Sequence, residues 1–444
     1  MHGRLGRGEI FGGRVAELPL VHSTLSLLLF ALLLLCSFPV KSGVLLLPKT
    51  ALEPNEVAVV VNDRDTLSLK IGRYYLAQRK IPKQNLIHVN FPPNRDKISI
   101  PLFQKQFKRV AQQTEKTIQA YVLTWARPYR VGCMSITSAF ATGFDRDYCA
   151  AKQDLSQPCG ITQRSPYFNS TSFAPYRDFK LRPSVALAAF SFEEAKRLID
   201  RGVAADETFP KGTAYLLETS DKNRSVRAVL FPSIKKKLGH RISIQILKQD
   251  TLKNKSDVLF YFTGKTWVEG LETLKFLPGA AADHLTSAGG QMRPRDKPGR
   301  QMSAIRWLEA GATGSFGTVV EPCNYLTKFP HPGVLMENYL NGATLLEAYW
   351  KSVAWPGEGL FIGEPLSRPF GRNQIAFDGG KLSFQYYGLP PGLYQLLAAD
   401  AAPGPYQFTG HYLRISKRGE SITLTGLNSP FYQLKPASDV PTPR

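Results

Sequence analysis

Glu56-Val57-Ala58-Val59-Val60-Val61-Asn62 is a short, almost wholly apolar and β-branched run that stops on polar residues. Strands buried on both faces read this way, whereas a strand with one wet face alternates. Thr66 to Lys80 follows, with apolar positions at helical spacing through Leu69, Tyr74 and Leu76, and it stops before Pro82. Leu86 to Phe91 is a second strand, Leu102 to Glu115 a polar-faced helix, and Ala120 to Trp125 a third strand. Strands alternating with helices indicate a parallel sheet wound by right-handed crossovers.

The rhythm breaks between Arg127 and Arg182, a stretch rich in Pro, Gly, Ser and aromatics that holds Cys133, Cys149 and Cys159. Its aromatics and cysteines suggest an ordered lobe at the sheet edge or over a site. It also carries the sequon Asn169-Ser170-Thr171. Alternation then resumes: strands at Ser184–Phe190, Thr213–Glu218, Ile242–Leu247, Val258–Phe262, Ala280–Thr286 and Gly314–Val320. The helices between and after them are Phe192–Asp200, Val226–Leu238, Met302–Glu309 and Met336–Val353, the last lightly broken at Gly342. The α/β unit spans 44–370, with the cysteine-containing insert at 127–182. Residues 371–434 read as a small antiparallel β module: Leu382-Ser-Phe-Gln-Tyr-Tyr alternates, Gly388-Leu-Pro-Pro-Gly reads as a turn, and Ile422-Thr-Leu-Thr alternates again. Residues 435–444 are expected to fray.

The N-terminus stands apart from the fold. Arg4, Arg7 and Arg14 precede an almost unbroken apolar run from Leu25 to Phe38, and Val40-Lys41-Ser42 follows. A basic flank, an apolar core and a small exit residue make a secretory signal over 1–43. The run falls short of the roughly 20 residues of a membrane span. Val44 to Leu47 is apolar again, so a retained anchor is the alternative. Leu33, Leu34 and Leu35 before Cys36 do not suit lipidation. Loss of the segment removes Arg4, Arg7, Arg14 and Lys41 against Glu9 and Glu17, taking the net charge from +21 to +19. For an exported chain such a surplus suggests anionic cell-surface polymer as a partner rather than nucleic acid; a peptide partner is the other reading. The charges are scattered, and a solvated basic surface without a partner is the favoured explanation. Four cysteines remain, Cys133, Cys149, Cys159 and Cys323, enough for two disulfides in an oxidising compartment. At least one bridge is expected within the first three. The 43% hydrophobic content and abundant aromatics exclude a mostly disordered chain.

Ligands of parallel sheets sit beyond the carboxyl ends of the strands. Asp63 follows the first strand and Arg127 the third. Thr263 ends the Val258 strand, with Gly264 and Lys265 after it. Thr286, Ser287, Gly289 and Gly290 end the Ala280 strand, and Glu321, Cys323 and Lys328 follow the Gly314 strand. Glu321 is a candidate general base with Lys328 as its partner, and Cys323 a candidate nucleophile with His284 on the neighbouring strand. Ser287 and His284 have opposite strand parity and do not make a dyad by themselves. Asp63, Arg127, Thr263, Thr286 and Lys328 are candidate substrate-binding groups. Cys323 as a buried or disulfide-bonded residue, and His284 as a hydrogen-bonded core residue, is the plainer reading of the same pair. Gly289-Gly290 could turn amides toward an oxyanion, or make only a tight turn. No metal-ligand spacing and no phosphate loop occurs, so no cofactor or metal is expected.

The segments Phe276-Leu-Pro-Gly-Ala-Ala-Ala-Asp-His-Leu-Thr-Ser-Ala-Gly-Gly290, Gly311-Ala-Thr-Gly-Ser-Phe-Gly-Thr-Val-Val-Glu-Pro-Cys-Asn324, Lys328-Phe-Pro and Gly363-Glu-Pro-Leu resemble an uncharacterised bacterial family of exported proteins. With Ser68 to Tyr75 and Ala195 to Asp200, that similarity runs from about Val57 to Phe370 and implies no activity. More distantly, the order of strands, Leu-Pro and Gly-Ala signals is similar to gingipain-type, caspase-like cysteine peptidases. The resemblance implies a caspase/gingipain-like, mostly parallel sheet flanked by helices. It places that class's His-Gly near Thr263-Gly264 and its nucleophilic Cys near Ser287. Neither residue is present, so the likeness implies the fold and not the mechanism. A diverged hydrolase with a site at the strand ends is one reading of the chain; a catalytically silent binding or cell-surface interaction protein is the other.

Overall fold

The computed structural model describes residues 43–47, 49–150, 159–371 and 373–437. The signal-like segment as far as Ser42 lies outside them, as do residues 438–444. Ten strands, numbered in chain order, build the large sheet: β1 Val57–Asn62, β2 Leu86–Val89, β3 Ala120–Leu123, β4 Ser184–Ala186, β5 Thr213–Glu218, β6 Ser243–Lys248, β7 Val258–Thr263, β8 Phe276–His284, β9 Gly314–Thr318 and β10 Gly359–Gly363. Their spatial order is β6-β5-β7-β8-β9-β10-β4-β3-β1-β2. The neighbours from β6 through to β9 pair in parallel, as do β4-β3-β1-β2. β10 runs antiparallel to β9 and joins β4 through the single bridge Ile362–Ala186. The fold is thus mixed α/β with helices against a mostly parallel sheet.

Double-sided burial explains the strand sequences. Every residue of β1 and of β7 is buried, as are Gly279 to His284 of β8. The helix Thr66–Arg79 starts on the Asp65 side chain, which accepts the Leu67 amide, and ends on Lys80 in the left-handed region. The helix Phe192–Ala205 starts in a capping box formed by Ser191 and Glu194. The two helices pack on each other against the sheet. At the amino-terminal edge of the strands, Arg79 ion-pairs with both Glu364 and Asp206, and Glu364 also accepts the Tyr75 hydroxyl at 2.7 Å. This knot ties both helices to the segment after β10.

Several elements depart from the sequence reading. The expected helix Met336–Val353 is two helices, Pro332–Leu340 and Leu345–Trp350. Gly342 has φ +87°, and Thr344 with Glu347 opens the second helix through a new capping box. The basic helix begins as a 3-10 turn, Ser225–Leu230, and becomes α-helical only at Phe231–Leu238. β8 begins at Phe276 and stops at His284, so Leu285 and Thr286 lie in the loop beyond it. β10 had no counterpart in the expectation.

Beyond residue 371 the chain forms two small sheets. One has the strands Asn373–Asp378, Lys381–Tyr386 and Ser421–Leu424, all antiparallel. The other has Gly392–Ala399, Gln407–Ile415 and Phe431–Pro436, joined at its edge by Val44–Leu46 in parallel with Phe431–Pro436. They share a core around Leu382, Phe384, Leu396, Leu413 and Leu434, with Leu45 buried in it. Val44–Leu46, assigned above to the α/β unit, therefore pairs with the C-terminal strands. Lys435 and Pro436, expected in a frayed tail, finish a strand.

Candidate functional site

The segments beyond the carboxyl ends of β3 and β8 meet at one edge of the sheet. Arg127, beyond β3, donates from Nε to the Met292 carbonyl at 3.0 Å, and Met292 lies in the loop beyond β8. At the center of that edge, β8 continues into Leu285, whose amide donates to the Thr263 carbonyl at 3.0 Å. Thr286 and Ser287 follow. Their carbonyls both accept the Thr318 hydroxyl, at 3.2 and 3.0 Å. The Gly290 amide donates back to the Thr318 carbonyl at 2.8 Å. A side chain on Gly290 would put its Cβ 2.9 Å from the Gly317 carbonyl carbon, so only glycine lets the turn lie flat on β9. That turn is a packing device, and the Gly290 amide is spent on β9 rather than aimed at an oxyanion.

A cavity of about 310 Å³ sits above this turn. Its polar lining is Asn223, Arg224, Thr286, Ser287, Glu321 and Asn324, with Leu285, Cys323 and Phe329 between them. Arg224 is held by Asp221 (Nη1 to Oδ2, 2.9 Å) and donates from Nε to the Thr286 hydroxyl at 3.2 Å. Thr286 in turn donates to Gln301 Oε1 at 2.7 Å. Glu321 is exposed, and its Oε1 accepts the Cys323 amide at 2.8 Å. Cys323 is disulfide-bonded to Cys159, and Cys133 to Cys149. The expected local bridge is present, and the second bridge ties the insert to the loop after β9.

The geometry revises several roles. Cys323 carries no free thiol, because its sulfur is in the bridge to Cys159; it is not a nucleophile. His284 is buried, with Nδ1 accepting the Trp307 indole N–H at 2.9 Å and Nε2 3.1 Å from the Met302 carbonyl. Both ring nitrogens are committed. Burial, helped by repulsion from Arg227 and Arg224 and opposed only by the Met302 hydrogen bond, pushes its pKa down to about 3. It is a neutral core residue, not a base. Glu321 is not a buried carboxylate and does not meet Lys328. Lys328 instead pairs with Glu358 at 2.9 Å, both side chains almost fully buried. Burial raises the Glu358 carboxyl while Lys328 pulls it back.

Thr286, Ser287, Glu321 and Cys323 do come together in the cavity lining. Thr263 lies one strand away, paired in register with His284; its hydroxyl is buried without a hydrogen-bond partner among the described residues. Asp63 does not join them. It bonds His88 at 2.6 Å on the surface, at the end of β1. Five strand spacings separate β1 from β8, roughly 24 Å at about 4.8 Å each. Arg127 sits between, ion-paired to Asp96 at 3.4 Å and over the Phe190 ring.

Sequence reasoning passed over Asn223, Arg224 and Arg227. Arg227 is buried beneath the cavity: Nη1 lies 2.6 Å from Asp283 Oδ1, and Nη2 donates to the Thr263 carbonyl at 2.8 Å. The signal was available. The rule that sites follow strand ends, applied also to β5, leads directly to the segment from Asp221 to Arg227.

No protein-family model matches the chain, and no curated protein resembles it in sequence. The expected likeness to a family of exported proteins thus has no counterpart among family models. Among solved structures, the chain is similar to the Arg-specific cysteine proteinase gingipain R (TM-score 0.40, 9% identity, 87% of this chain and 99% of that one). It is similar to a structure described as a protease (0.40, 10%, 86% and 96%). It is also similar to the complex of Porphyromonas gingivalis RgpB pro- and mature domains (0.39, 9%, 86% and 99%). Likenesses of this depth reach no side chain of the cavity, whose chemistry rests on its own groups. Two disulfides are consistent with export. Among the described residues no helix is long and apolar enough to cross a membrane.

Proposed function

We propose that this is an exported, catalytically silent binding protein whose strand-end cavity takes a short peptide segment. One observation carries the reading: the cavity is open and polar, yet the cysteine in its wall is oxidised and the histidine beneath it has both nitrogens engaged. Among the described residues the Ser287 hydroxyl is hydrogen-bonded to no base, and hydroxyls not activated by one are weak nucleophiles. What remains suits recognition. Arg224 offers a guanidinium, Asn223 and Asn324 offer amides, and Glu321 offers an exposed carboxylate. Paired donors and acceptors of this kind match a peptide's carbonyls and amides.

The test uses the purified mature chain and a pool of fluorescein-labelled tetrapeptides followed by anisotropy and mass spectrometry. Saturable binding is expected, lost in Ser287→Trp, which fills the cavity, with every peptide recovered intact. Fluorophosphonate and epoxide probes should leave the chain unlabelled. Peptide cleavage or probe labelling would overturn the silent reading, and binding that survives Ser287→Trp would overturn the site.

A further inference from the structure

A larger cavity, about 990 Å³, lies at the opposite edge of the sheet, where β5 and β6 begin, between the α/β body and the C-terminal β unit. It is independent of the strand-end cavity and of the function proposed for it. Its lining is strongly cationic. Lys211, Lys237 and Arg241 come from the body, and Lys417 and Arg418 from the turn before Ser421–Leu424. The one carboxylate there, Glu337, is already held by Lys237 at 2.6 Å.

Arg241 and Arg418 are the informative pair. Both are half-buried. Arg241 donates to Asn341 Oδ1 and the Leu340 carbonyl, each at 2.8 Å, and Arg418 donates to the carbonyls of Tyr387 and Gly388 at 3.4 and 3.2 Å. Neither forms an ion pair with a carboxylate among the described residues. Burial lowers the pKa of each and Arg418 adds repulsion to Arg241, while the Glu337 carboxylate offsets part of the shift at both. Two guanidiniums drawn out of water toward one another, with only Glu337 as counter-charge and that carboxylate already held by Lys237, are costly unless an anion comes between them. Carbonyl bonds hold each one in place and leave further N–H groups of its fork to meet that anion.

We infer that this cleft binds a soluble chain of phosphate groups, bridging Arg241 and Arg418 from the two sides. Guanidiniums match phosphate oxygens bidentately, and Lys211 and Lys417 at the exposed rim supply point charges for further phosphates. The site is a deep cleft between two units, so a flat bilayer surface does not reach its two arginines.

Isothermal titration with inorganic tripolyphosphate at fixed ionic strength tests this, with sulfate as the single-anion control. Tripolyphosphate binding is expected, at least tenfold tighter than sulfate. The double variant Arg241→Gln/Arg418→Gln should weaken it at least tenfold. Lys211→Gln/Lys417→Gln, both exposed and with side chains that form no hydrogen bond among the described residues, should weaken it several-fold and keep the test open should the arginine variant misfold. Glu337→Gln removes the one carboxylate and frees Lys237, so it should bind more tightly than the wild type. Equal affinity for sulfate and tripolyphosphate, no change in a folded lysine variant, or sedimentation with phosphatidylglycerol vesicles without tripolyphosphate binding would each overturn the inference.

Discussion

Arg227→Met should be among the most damaging single substitutions at the strand ends. The Arg227 side chain is 3% exposed and that of Asp283 1%, and their charged atoms lie 2.6 Å apart. Among the described residues no other group hydrogen-bonds either Asp283 oxygen, so one guanidinium supplies the whole compensation for a carboxylate buried in the sheet. Removing one partner of such a pair costs roughly 3–5 kcal/mol, because the other charge stays buried and unpaired. The Pro330 carbonyl loses the Arg227 donor as well, and the Thr263 carbonyl keeps only the Leu285 amide. Acid relieves the cost. Burial already raises the Asp283 pKa and Arg227 pulls it down, so in the variant the carboxyl rises further. A raised carboxyl favours the folded state while protonated and penalises it as pH climbs through the folded pKa. The gap between wild type and variant should therefore be widest near neutral pH and narrow toward pH 4. Replacing both residues, as Arg227→Met/Asp283→Leu, should recover most of the loss. Urea unfolding followed by tryptophan fluorescence at pH 7 and pH 4 reads all three chains. A variant gap that is the same at both pH values, or a double variant no better than Arg227→Met, would refute the reasoning.

Other perturbations separate the remaining claims. His284→Phe leaves the Trp307 indole N–H and the Met302 carbonyl without their partner and should cost roughly 1–3 kcal/mol at pH 7. With a folded pKa of about 3, wild-type His284 contributes stability above the unfolded value of about 6.5 that is lost as pH falls toward 3, up to about 1.4 kcal/mol per pH unit; unfolding titrations should show a shallower acid limb in the variant. Non-reducing peptide mapping should recover Cys133–Cys149 and Cys159–Cys323. The wider separation of the second pair, 164 residues against 16, makes Cys159→Ser the costlier loss, about 5 kcal/mol against about 3 in the chain-entropy picture. Leu45→Ala should destabilise the C-terminal β unit by roughly 2–3 kcal/mol, visible in hydrogen exchange of Phe431–Pro436 before that of β7; uniform exchange across both would refute a separate anchoring of that strand.

Local periodicity identified what local sequence determines. β1, β3, β7 and the helices Thr66–Arg79 and Phe192–Ala205 were legible because buried runs and capping residues sit next to one another in the chain. β10 was not, because Gly-Leu-Phe-Ile-Gly is too short to show a period and acquires its structure from β9 on its flank. Val44–Leu46 is assigned by sequence to the α/β unit, with a retained anchor as the alternative; its partner is nearly four hundred residues away, as the pairing Val44–Phe431 shows. The site divides in the same way. Thr286, Ser287 and Glu321 follow from the strand-end rule. The disulfide partner of Cys323 and the indole on His284 are long-range facts that no spacing reveals.

These long-range ties also decide what kind of site the strand ends can be. The loop from Glu321 to His331 is anchored at Cys323 by the bridge to Cys159, and at Lys328 by the buried pair with Glu358. The Thr327 carbonyl accepts the Trp355 amide at 2.8 Å, and the His331 amide donates to the Ser352 carbonyl at 2.9 Å. The opposite wall is equally fixed, with Arg224 clamped between Asp221 and Thr286, and Thr286 on Gln301. Walls tied down in this way lower the ordering cost of association. The bond that occupies the Cys323 sulfur also ties the segment carrying Glu321 and Asn324 to Cys159 in the insert, so one cross-link both removes a free thiol from the cavity wall and joins that wall to the rest of the fold.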